Sequence, residues 1–185
     1  MQLKFLPSFV KRRGRITKKQ ESSLKLLPNY SVSKIDEIYS ESKKYKMCNL
    51  EIGFGNAENL IYEAINNPSI LFIGSEVYLS GIGTLISNIK EKQIQNIRIF
   101  PEDIRLLFDQ EEKIIFNGIK IICPDPWPKD RHRKRRLIDE FFLNMIHKFM
   151  KDKAQLYIST DWENYAHQIS LSLIHISEPT RLSRI

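Results

Sequence analysis

The sequence contains few cysteines, no long apolar run and no leader-like segment. Its two cysteines, Cys48 and Cys123, are too few for a disulfide framework or a metal site, so we expect reduced thiols, no metal and a cytoplasmic location. No apolar run approaches the roughly 20 residues that a membrane-spanning helix needs. The first 15 residues place their charges after a short apolar patch, which is the reverse of a secretory signal. With 185 residues, 42% of them hydrophobic, the chain can bury the core of one domain.

The positive charge is concentrated in two short segments. The net charge is +7. Counting Lys and Arg against Asp and Glu gives +7 for residues 1–25 and +5 for residues 129–136, so the remainder carries −5. An acidic body with two basic segments predicts a polyanionic partner, most simply nucleic acid. The alternative is that the two segments bind no partner and are only a solvated charged tail and a charged start of a helix. For residues 1–25 the two interpretations are equally supported.

Apolar runs and helical stripes alternate along the chain. Buried-strand patterns occupy residues 46–55, 69–76, 95–100, 118–125 and 154–160. Helical patterns occupy residues 56–68, 79–92, 101–108 and 137–150, and another begins at residue 161. This alternation predicts an α/β fold, in which a parallel sheet carries helices on both faces.

Acidic residues recur where the predicted strands end. The residues to inspect are Glu51 to Asn56, Glu76, Asp103, Asp125 and Asp161. Ligands of such sheets bind at the carboxyl ends of the strands. Solvated loops also favour acids, so the indication comes from the recurrence and not from any single residue.

The first strand-to-helix turn contains Gly53 and Gly55, and Glu76 ends the next strand. Glycines allow a ligand to approach the backbone closely, and a carboxylate at the position of Glu76 can accept both ribose hydroxyls. The acids Glu51 and Glu58 would repel a pyrophosphate but suit the cationic S-adenosylmethionine. An ordinary tight turn is the alternative.

The segment "CPDPWPKDRHRKRR", residues 123–136, joins a stiff acidic loop to a basic run. Three prolines restrict the backbone around Asp125. A side chain that contacts a ligand directly needs such a fixed position. Trp127 could stack on a base, but for a lone tryptophan we favour a plug that seals the loop. Lys129 and the cluster after it can neutralise phosphates.

Five segments resemble the bacterial tRNA (guanine-N7-)-methyltransferases. They are "FVKRRGRITKKQ", "LEIGFGNAENL", "GSEVYLSGIG", "PDPWPKDRHRKRR" and "STDWENYA". The resemblance implies a Rossmann-like, S-adenosylmethionine-dependent enzyme that methylates N7 of a guanosine in the tRNA variable loop. Guanine N7 carries a lone pair and no proton. Such a reaction therefore depends on in-line placement of the guanine and a suitable electrostatic field more than on a general base.

The resemblance also implies roles for individual residues. One departure is Ala57, which stands where a third glycine is common, and we expect the small alanine to be tolerated. Asp125 is the implied catalytic residue. The other implied residues are Glu51, Gly53, Gly55, Glu76, Asp103 and again Asp125 for the cofactor, Lys129 and Asp161 for the substrate, and Arg131, His132, Arg133, Lys134, Arg135 and Arg136 for RNA.

Two other functions compete with this interpretation. An NAD-dependent oxidoreductase is disfavoured by the acids in the glycine turn and by the basic run. A catalytically inactive tRNA-binding fragment is harder to dismiss, because "LSLIHISEPTR", residues 171–181, resembles a translated transposase adapter and matches no family segment. We therefore expect a basic N-terminal arm and helix in residues 1–45, a methyltransferase domain in residues 46–170 and a non-native tail in residues 171–185. The family would add a further pair of strands.

Overall fold

The protein is built on one parallel sheet. The computed structural model describes residues 5–10 and 15–177. Its five strands lie in the order β3-β2-β1-β4-β5, and every neighbouring pair is parallel. All five predicted strands are present, so the predicted α/β class is confirmed. The strands are β1 (Met47–Ile52), β2 (Ile70–Ser75), β3 (Ile97–Phe100), β4 (Phe116–Ile122) and β5 (Met150–Ser159).

Helices connect the strands and precede them. No helix among the described residues is long and apolar enough to cross a membrane. Two short 3-10 helices span Leu27–Asn29 and Asp130–Arg135. The α-helices are α1 (Lys18–Leu24), α2 (Ile35–Ser42), α3 (Glu58–Asn66), α4 (Leu79–Lys92), α5 (Ile104–Phe108), α6 (Glu140–His147) and α7 (Glu163–Ser177).

The sheet separates two apolar clusters. One cluster joins the strands to buried residues of α2, α5, α6 and α7, and the other joins β2 and β3 to buried residues of α3 and α4. Adjacent side chains of a strand point to opposite faces, and β2 and β3 supply residues to both clusters. Burial on two sides explains the unbroken apolar run of β2, whereas the residues of β5 are largely exposed or half-buried.

The residues before β1 pack on the sheet and on α4. The Gln20 side-chain amide of α1 donates to Thr84 Oγ1 at 3.0 Å. Gly83 faces the same helix, since a Cβ there would lie 2.9 Å from Gln20 atoms. Val32 N donates to the carbonyl of Ile99 in β3 at 2.9 Å. The segment predicted as an arm and a helix therefore contains two α-helices, while residues 1–4 and 11–14 lie outside the described residues.

The helix predicted over residues 137–150 is shorter in the structure. It begins after Asp139, whose side chain accepts from Phe142 N at 2.8 Å and caps the helix. It ends at His147, and Met150 already belongs to β5. The apolar residues on each side still enter the core, which is why their spacing imitated a longer helix. The helix predicted from residue 161 extends to Ser177, into the predicted tail, and residues 178–185 lie outside the described residues.

Candidate active site at the carboxyl edge of the sheet

The carboxyl ends of all five strands meet at one edge of the sheet. Ile52 of β1 pairs with Ser75 on one side and Ile121 on the other. The register continues outward to Phe100 of β3 and to Ser159 of β5. The chain reverses its direction of winding between β1 and β4, where ligands of open α/β sheets bind.

An open cavity of about 240 Å³ lies at this edge. Four acidic residues line it, so its field favours a cationic ligand. Residues 5–10, here called the N-terminal segment, contribute Ser8 and Phe9 to its wall. The predicted site residues that the structure brings together here are Gly53, Gly55, Glu76, Asp103 and Asp125, and Glu102 is the fourth acid.

The glycine turn combines unusual backbone angles with open space. Gly53 has φ 72° and Gly55 has φ 54°, and a Cβ at either would meet nothing within 4 Å. The backbone conformation and the room for a ligand therefore both favour glycine. Ala57 also has a positive φ of 64° and is fully buried. Alanine therefore adopts a left-handed conformation at the position where a third glycine is common. At Gly81 of α4 a Cβ would lie 2.2 Å from the carbonyl oxygen of Gly55, so this helix begins directly against the turn.

Glu76 fastens the glycine turn to the end of β2. Its Oε2 accepts from Gly55 N at 2.8 Å. Its Oε1 accepts from Val77 N at 2.6 Å and from Tyr78 N at 3.0 Å. A carboxylate has about four lone-pair positions, so roughly one acceptor position remains for a ligand. The buried side chain thus shapes the cavity and can also bind within it.

Asp103 is held by a neighbouring arginine. Its carboxylate caps α5 by accepting from Arg105 N at 3.1 Å, and it pairs with the Arg105 guanidinium at 2.6 Å. The same guanidinium lies 3.8 Å from the ring centre of Phe5. Asp103 therefore contributes a largely neutralised acid and links the cavity wall to the N-terminal segment.

Glu51 lies beside a different cavity from the other predicted cofactor acids. It lines a space of about 400 Å³ over the face of β1, β4 and β5. Its carboxylate accepts from the Asn59 side-chain amide at 2.6 Å. Burial raises the pKa of Glu51, and the Asn59 hydrogen bond opposes this shift. The structure thus joins Glu51 to the start of α3 and not to the cavity around Gly53 and Gly55.

The loop that carries Asp125 contains two strained residues. Cys123 has φ 47° and Trp127 has φ 46°, a region that costs a non-glycine residue of order 1–3 kcal/mol. Asp125 stands between them with an exposed side chain. Contacts hold the loop in place, since Trp127 Nε1–H donates to the carbonyl of Ser8 at 3.0 Å. Trp127 is half-buried and joins the loop to the N-terminal segment.

The basic run forms the 3-10 helix next to this loop. His132 meets the Trp127 ring edge-on with centroids 5.7 Å apart, and the Arg135 guanidinium lies 5.1 Å from that ring. Burial and the surrounding cations lower the pKa of His132, so it is predominantly neutral at pH 7. Arg133 pairs with Asp130 at 2.6 Å. The residues of the run that remain exposed are Lys129, Arg131, Arg133 and Lys134.

Arg136 differs from the rest of the run because it is only 4% exposed. Its Nε donates to the carbonyl of Pro126 at 2.8 Å. Its two terminal nitrogens donate to Gln168 Oε1 at 2.6 Å and to Asn164 Oδ1 at 2.9 Å. The guanidinium also lies 4.7 Å from the ring centre of Tyr165. The structure therefore places Arg136 inside the protein, against α7.

Asp161 follows β5 beside the Asp125 loop. Cys123 N donates to the carbonyl of Ser159 at 2.9 Å, so the loops after β4 and β5 leave the sheet side by side. Asp161 and Lys129 are both exposed, as groups that meet a large substrate must be. Lys129 directly follows the Asp125 loop in the chain, and Asp161 belongs to the neighbouring loop after β5.

The contribution of the N-terminal segment to the cavity was not predicted from the sequence. Its charge pattern indicated a polyanion-binding arm, yet Ser8 and Phe9 line the acidic cavity. Tyr78 OH also donates to the carbonyl of Val10 at 3.0 Å. The apolar residues within this basic region were the available signal, because an arm that only binds phosphate needs none.

Comparisons with known proteins identify relatives over most of the chain. Residues 45–184 match a family model described as "Putative methyltransferase". A protein of Wolbachia pipientis wMel named tRNA (guanine-N(7)-)-methyltransferase is 39% identical over 149 residues, covering 78% of this chain and 66% of its own length. A protein of the same name from Neorickettsia sennetsu is 34% identical over 174 residues, covering 93% of this chain and 76% of its own. The chain therefore spans between about two thirds and three quarters of these relatives.

Solved structures support the fold. The aminoglycoside resistance methyltransferase NpmB1 superposes with a TM-score of 0.54 at 13% identity, covering 78% of this chain and 74% of its own. A 16S rRNA (adenine(1408)-N(1))-methyltransferase from Catenulisporales acidiphilia superposes with a TM-score of 0.52 at 14% identity, covering 76% and 68%. At such identities the similarity concerns the arrangement of strands and helices.

Proposed function

Because the chain belongs to the tRNA (guanine-N7-)-methyltransferase family, whose methyl donor is S-adenosylmethionine, we propose that its acidic cavity binds this cofactor and that Asp125 faces the guanine to be methylated. The target in this proposal is a guanosine of the tRNA variable loop, and the location is the cytoplasm. The observation that carries the proposal is one loop, residues 123–128, that joins the acidic cavity to the basic 3-10 helix.

The residues around the cavity suit this cofactor. Two glycines leave open space on the turn, and Glu76 retains an acceptor position for a ribose hydroxyl. The surrounding carboxylates favour a cation such as a sulfonium. When bound, S-adenosylmethionine supplies an electrophilic methyl group, so the chain itself must bind, orient and exclude water.

Asp125 has an electrostatic role in this proposal. Guanine N7 has an unprotonated lone pair at neutral pH, so no residue has to remove a proton from it. Methylation leaves the purine positively charged, and a fixed carboxylate nearby stabilises that developing charge. The strained loop holds Asp125 at the edge of the cavity, where a base presented from outside could reach it.

The exposed part of the basic run is proposed to hold the tRNA backbone. Lys129, Arg131 and Lys134 are exposed and follow the same loop in the chain. Contacts of cations with phosphates fix the register and orientation of a nucleic acid without reading its sequence. Asp161, on the neighbouring loop, is proposed to contact the presented nucleotide.

Methyl transfer by this chain tests the proposal. We expect the protein to transfer labelled methyl groups to unmodified tRNA and to yield 7-methylguanosine on nuclease digestion and mass spectrometry. Asp125→Asn should lower the transfer rate by about 100-fold, the scale of one lost electrostatic contact in a transition state. Binding of S-adenosylhomocysteine and tRNA should persist, because the substitution keeps the shape of the side chain.

Two results would contradict the proposal. Tight tRNA binding by the parent protein without any 7-methylguanosine would favour the alternative of a non-catalytic RNA-binding fragment. An unchanged rate in Asp125→Asn would remove Asp125 from the reaction while leaving the family assignment intact.

A further inference from the structure

We propose that Arg136 is a positioning residue that fixes the loop carrying Asp125, and that it does not contact tRNA phosphates. This inference rests on the proposed function, since the loop matters only if Asp125 faces the substrate. The sequence placed Arg136 with five other candidates for RNA contact, and the structure gives it different surroundings from the exposed members.

The hydrogen-bonding capacity of Arg136 is directed inward. Each of its three guanidinium nitrogens donates to a protein oxygen, at 2.8 Å, 2.6 Å and 2.9 Å. The guanidinium also lies over the Tyr165 ring, 4.7 Å from its centre. A phosphate would have to displace these contacts and open the packing against α7, whereas Arg131 and Lys134 already face solvent.

One of these contacts acts directly on the Asp125 loop. The carbonyl of Pro126 belongs to the peptide that joins Pro126 to Trp127, directly after Asp125. Trp127 has a positive φ of 46°, so this peptide requires outside contacts to keep its orientation. The hydrogen bond from Arg136 fixes the direction of that peptide plane, and with it the backbone on one side of Asp125.

Helix α7 provides the anchor. Asn164 and Gln168 lie one helical turn apart and present their amide oxygens to the same guanidinium. Gln168 also donates to the carbonyl of Ile138 at 3.2 Å, and the Tyr165 hydroxyl accepts from Ile138 N at 2.9 Å. The helix after β5 therefore sets the position of the loop after β4 through Arg136.

The three acceptors of Arg136 indicate that the shape of the guanidinium matters more than its charge. They are a backbone carbonyl and two side-chain amides, all uncharged. A buried cation without a carboxylate partner is retained only when its hydrogen bonds are satisfied. Arginine donates to the three acceptors from three separate nitrogens of one rigid fork, whereas lysine has to donate from a single nitrogen.

The experiment compares Arg136→Gln and Arg136→Lys with Arg131→Gln, which makes the same chemical change at an exposed site of the same run. Three quantities are measured: the kcat and KM of methyl transfer, the salt dependence of tRNA binding, and hydrogen exchange of residues 124–138. For Arg131→Gln we expect the salt slope to fall by roughly 0.7 to 0.9, as one lost phosphate contact predicts. Its hydrogen exchange should stay that of the parent.

For Arg136→Lys we expect at least a tenfold lower kcat, faster hydrogen exchange over residues 124–138, and a KM for tRNA and a salt slope that match the parent. Arg136→Gln should behave in the same way. Asn164→Ala, which removes one acceptor and leaves Arg136 in place, should give a smaller increase in exchange. This variant keeps the test valid if Arg136→Gln fails to fold.

Two outcomes would overturn the inference. A salt slope reduced by Arg136→Gln as much as by Arg131→Gln would make Arg136 a phosphate contact. Full kcat in Arg136→Lys would show that the fork is not needed. A parent protein without methyl transfer would contradict the proposed function instead, and the exchange and salt measurements would still decide the role of Arg136.

Discussion

Replacing Glu76 by glutamine tests how the glycine turn is held. The carboxylate of Glu76 accepts three backbone N–H groups, one on Oε2 and two on Oε1. A glutamine side chain has a single acceptor oxygen, and its NH₂ group must face an N–H in either orientation. We therefore expect the turn around Gly55 to lose its connection to β2, because two donors cannot bond to each other.

The size of the effect follows from the number of bonds lost. A hydrogen bond to a charged group contributes about 1.5–3 kcal/mol, and glutamine forfeits at least one. The free energy of unfolding should fall by about 2 kcal/mol, which lowers the Tm by roughly 4–8 °C in a chain of this size. Loss of the turn should also weaken S-adenosylhomocysteine binding at least tenfold, or about 1.4 kcal/mol.

Urea unfolding and titration calorimetry with S-adenosylhomocysteine measure both quantities. Glu102→Gln is the matched control, because Glu102 lines the same cavity but is exposed. It should leave unfolding unchanged. The affinity for tRNA should change less than twofold in Glu76→Gln, since the exposed basic residues are untouched. Equal stability and equal cofactor affinity in Glu76→Gln and the parent would refute the reasoning.

Two further substitutions examine the neighbours of the turn and of the loop. On helix propensity alone, Gly81→Ala should stabilise the protein by about 1 kcal/mol. We nevertheless expect lower stability, because the new Cβ would lie 2.2 Å from Gly55 O. Calorimetry should also show at least tenfold weaker binding of S-adenosylhomocysteine. Ser80→Ala is its control, and a more stable Gly81→Ala that binds normally would contradict the packing argument. Trp127→Phe removes the 3.0 Å hydrogen bond to Ser8, a loss of about 0.5–1.5 kcal/mol, and should speed hydrogen exchange in the N-terminal segment. Unchanged exchange there would show that the indole N–H does not hold that segment.

The strands were predictable because each contains a short apolar run between helical stripes. β2 is almost entirely buried and reads as an unbroken apolar run, whereas β5 is largely exposed or half-buried, yet all five predicted runs became strands. The alternation with helical stripes then predicted parallel pairing. The helix over residues 137–150 was predicted too long. Apolar residues on each side of the helix also enter the core, and their spacing along the sequence does not distinguish them from helical residues.

The position of the acids was predictable only in part. Glu76 follows β2, whereas Glu51 lies within β1, so the alternation of side chains along the strand decides the face on which Glu51 lies. Whether a strand ends before or after an acidic residue therefore decides which cavity that residue lines. The burial of Arg136 depends on Asn164 and Gln168, which are 28 and 32 residues away in the sequence, and no local pattern contains that information.

The loop of residues 123–128 has a thermodynamic consequence. Asp125 lines the cavity at one end of the loop, and Trp127 contacts His132 and Arg135 of the basic helix at the other. Two ligands that share one loop are energetically coupled when each of them binds one arrangement of the loop more tightly than another. Such coupling is reciprocal, so any factor by which a bound cofactor changes the affinity for tRNA is the factor by which tRNA changes the affinity for the cofactor.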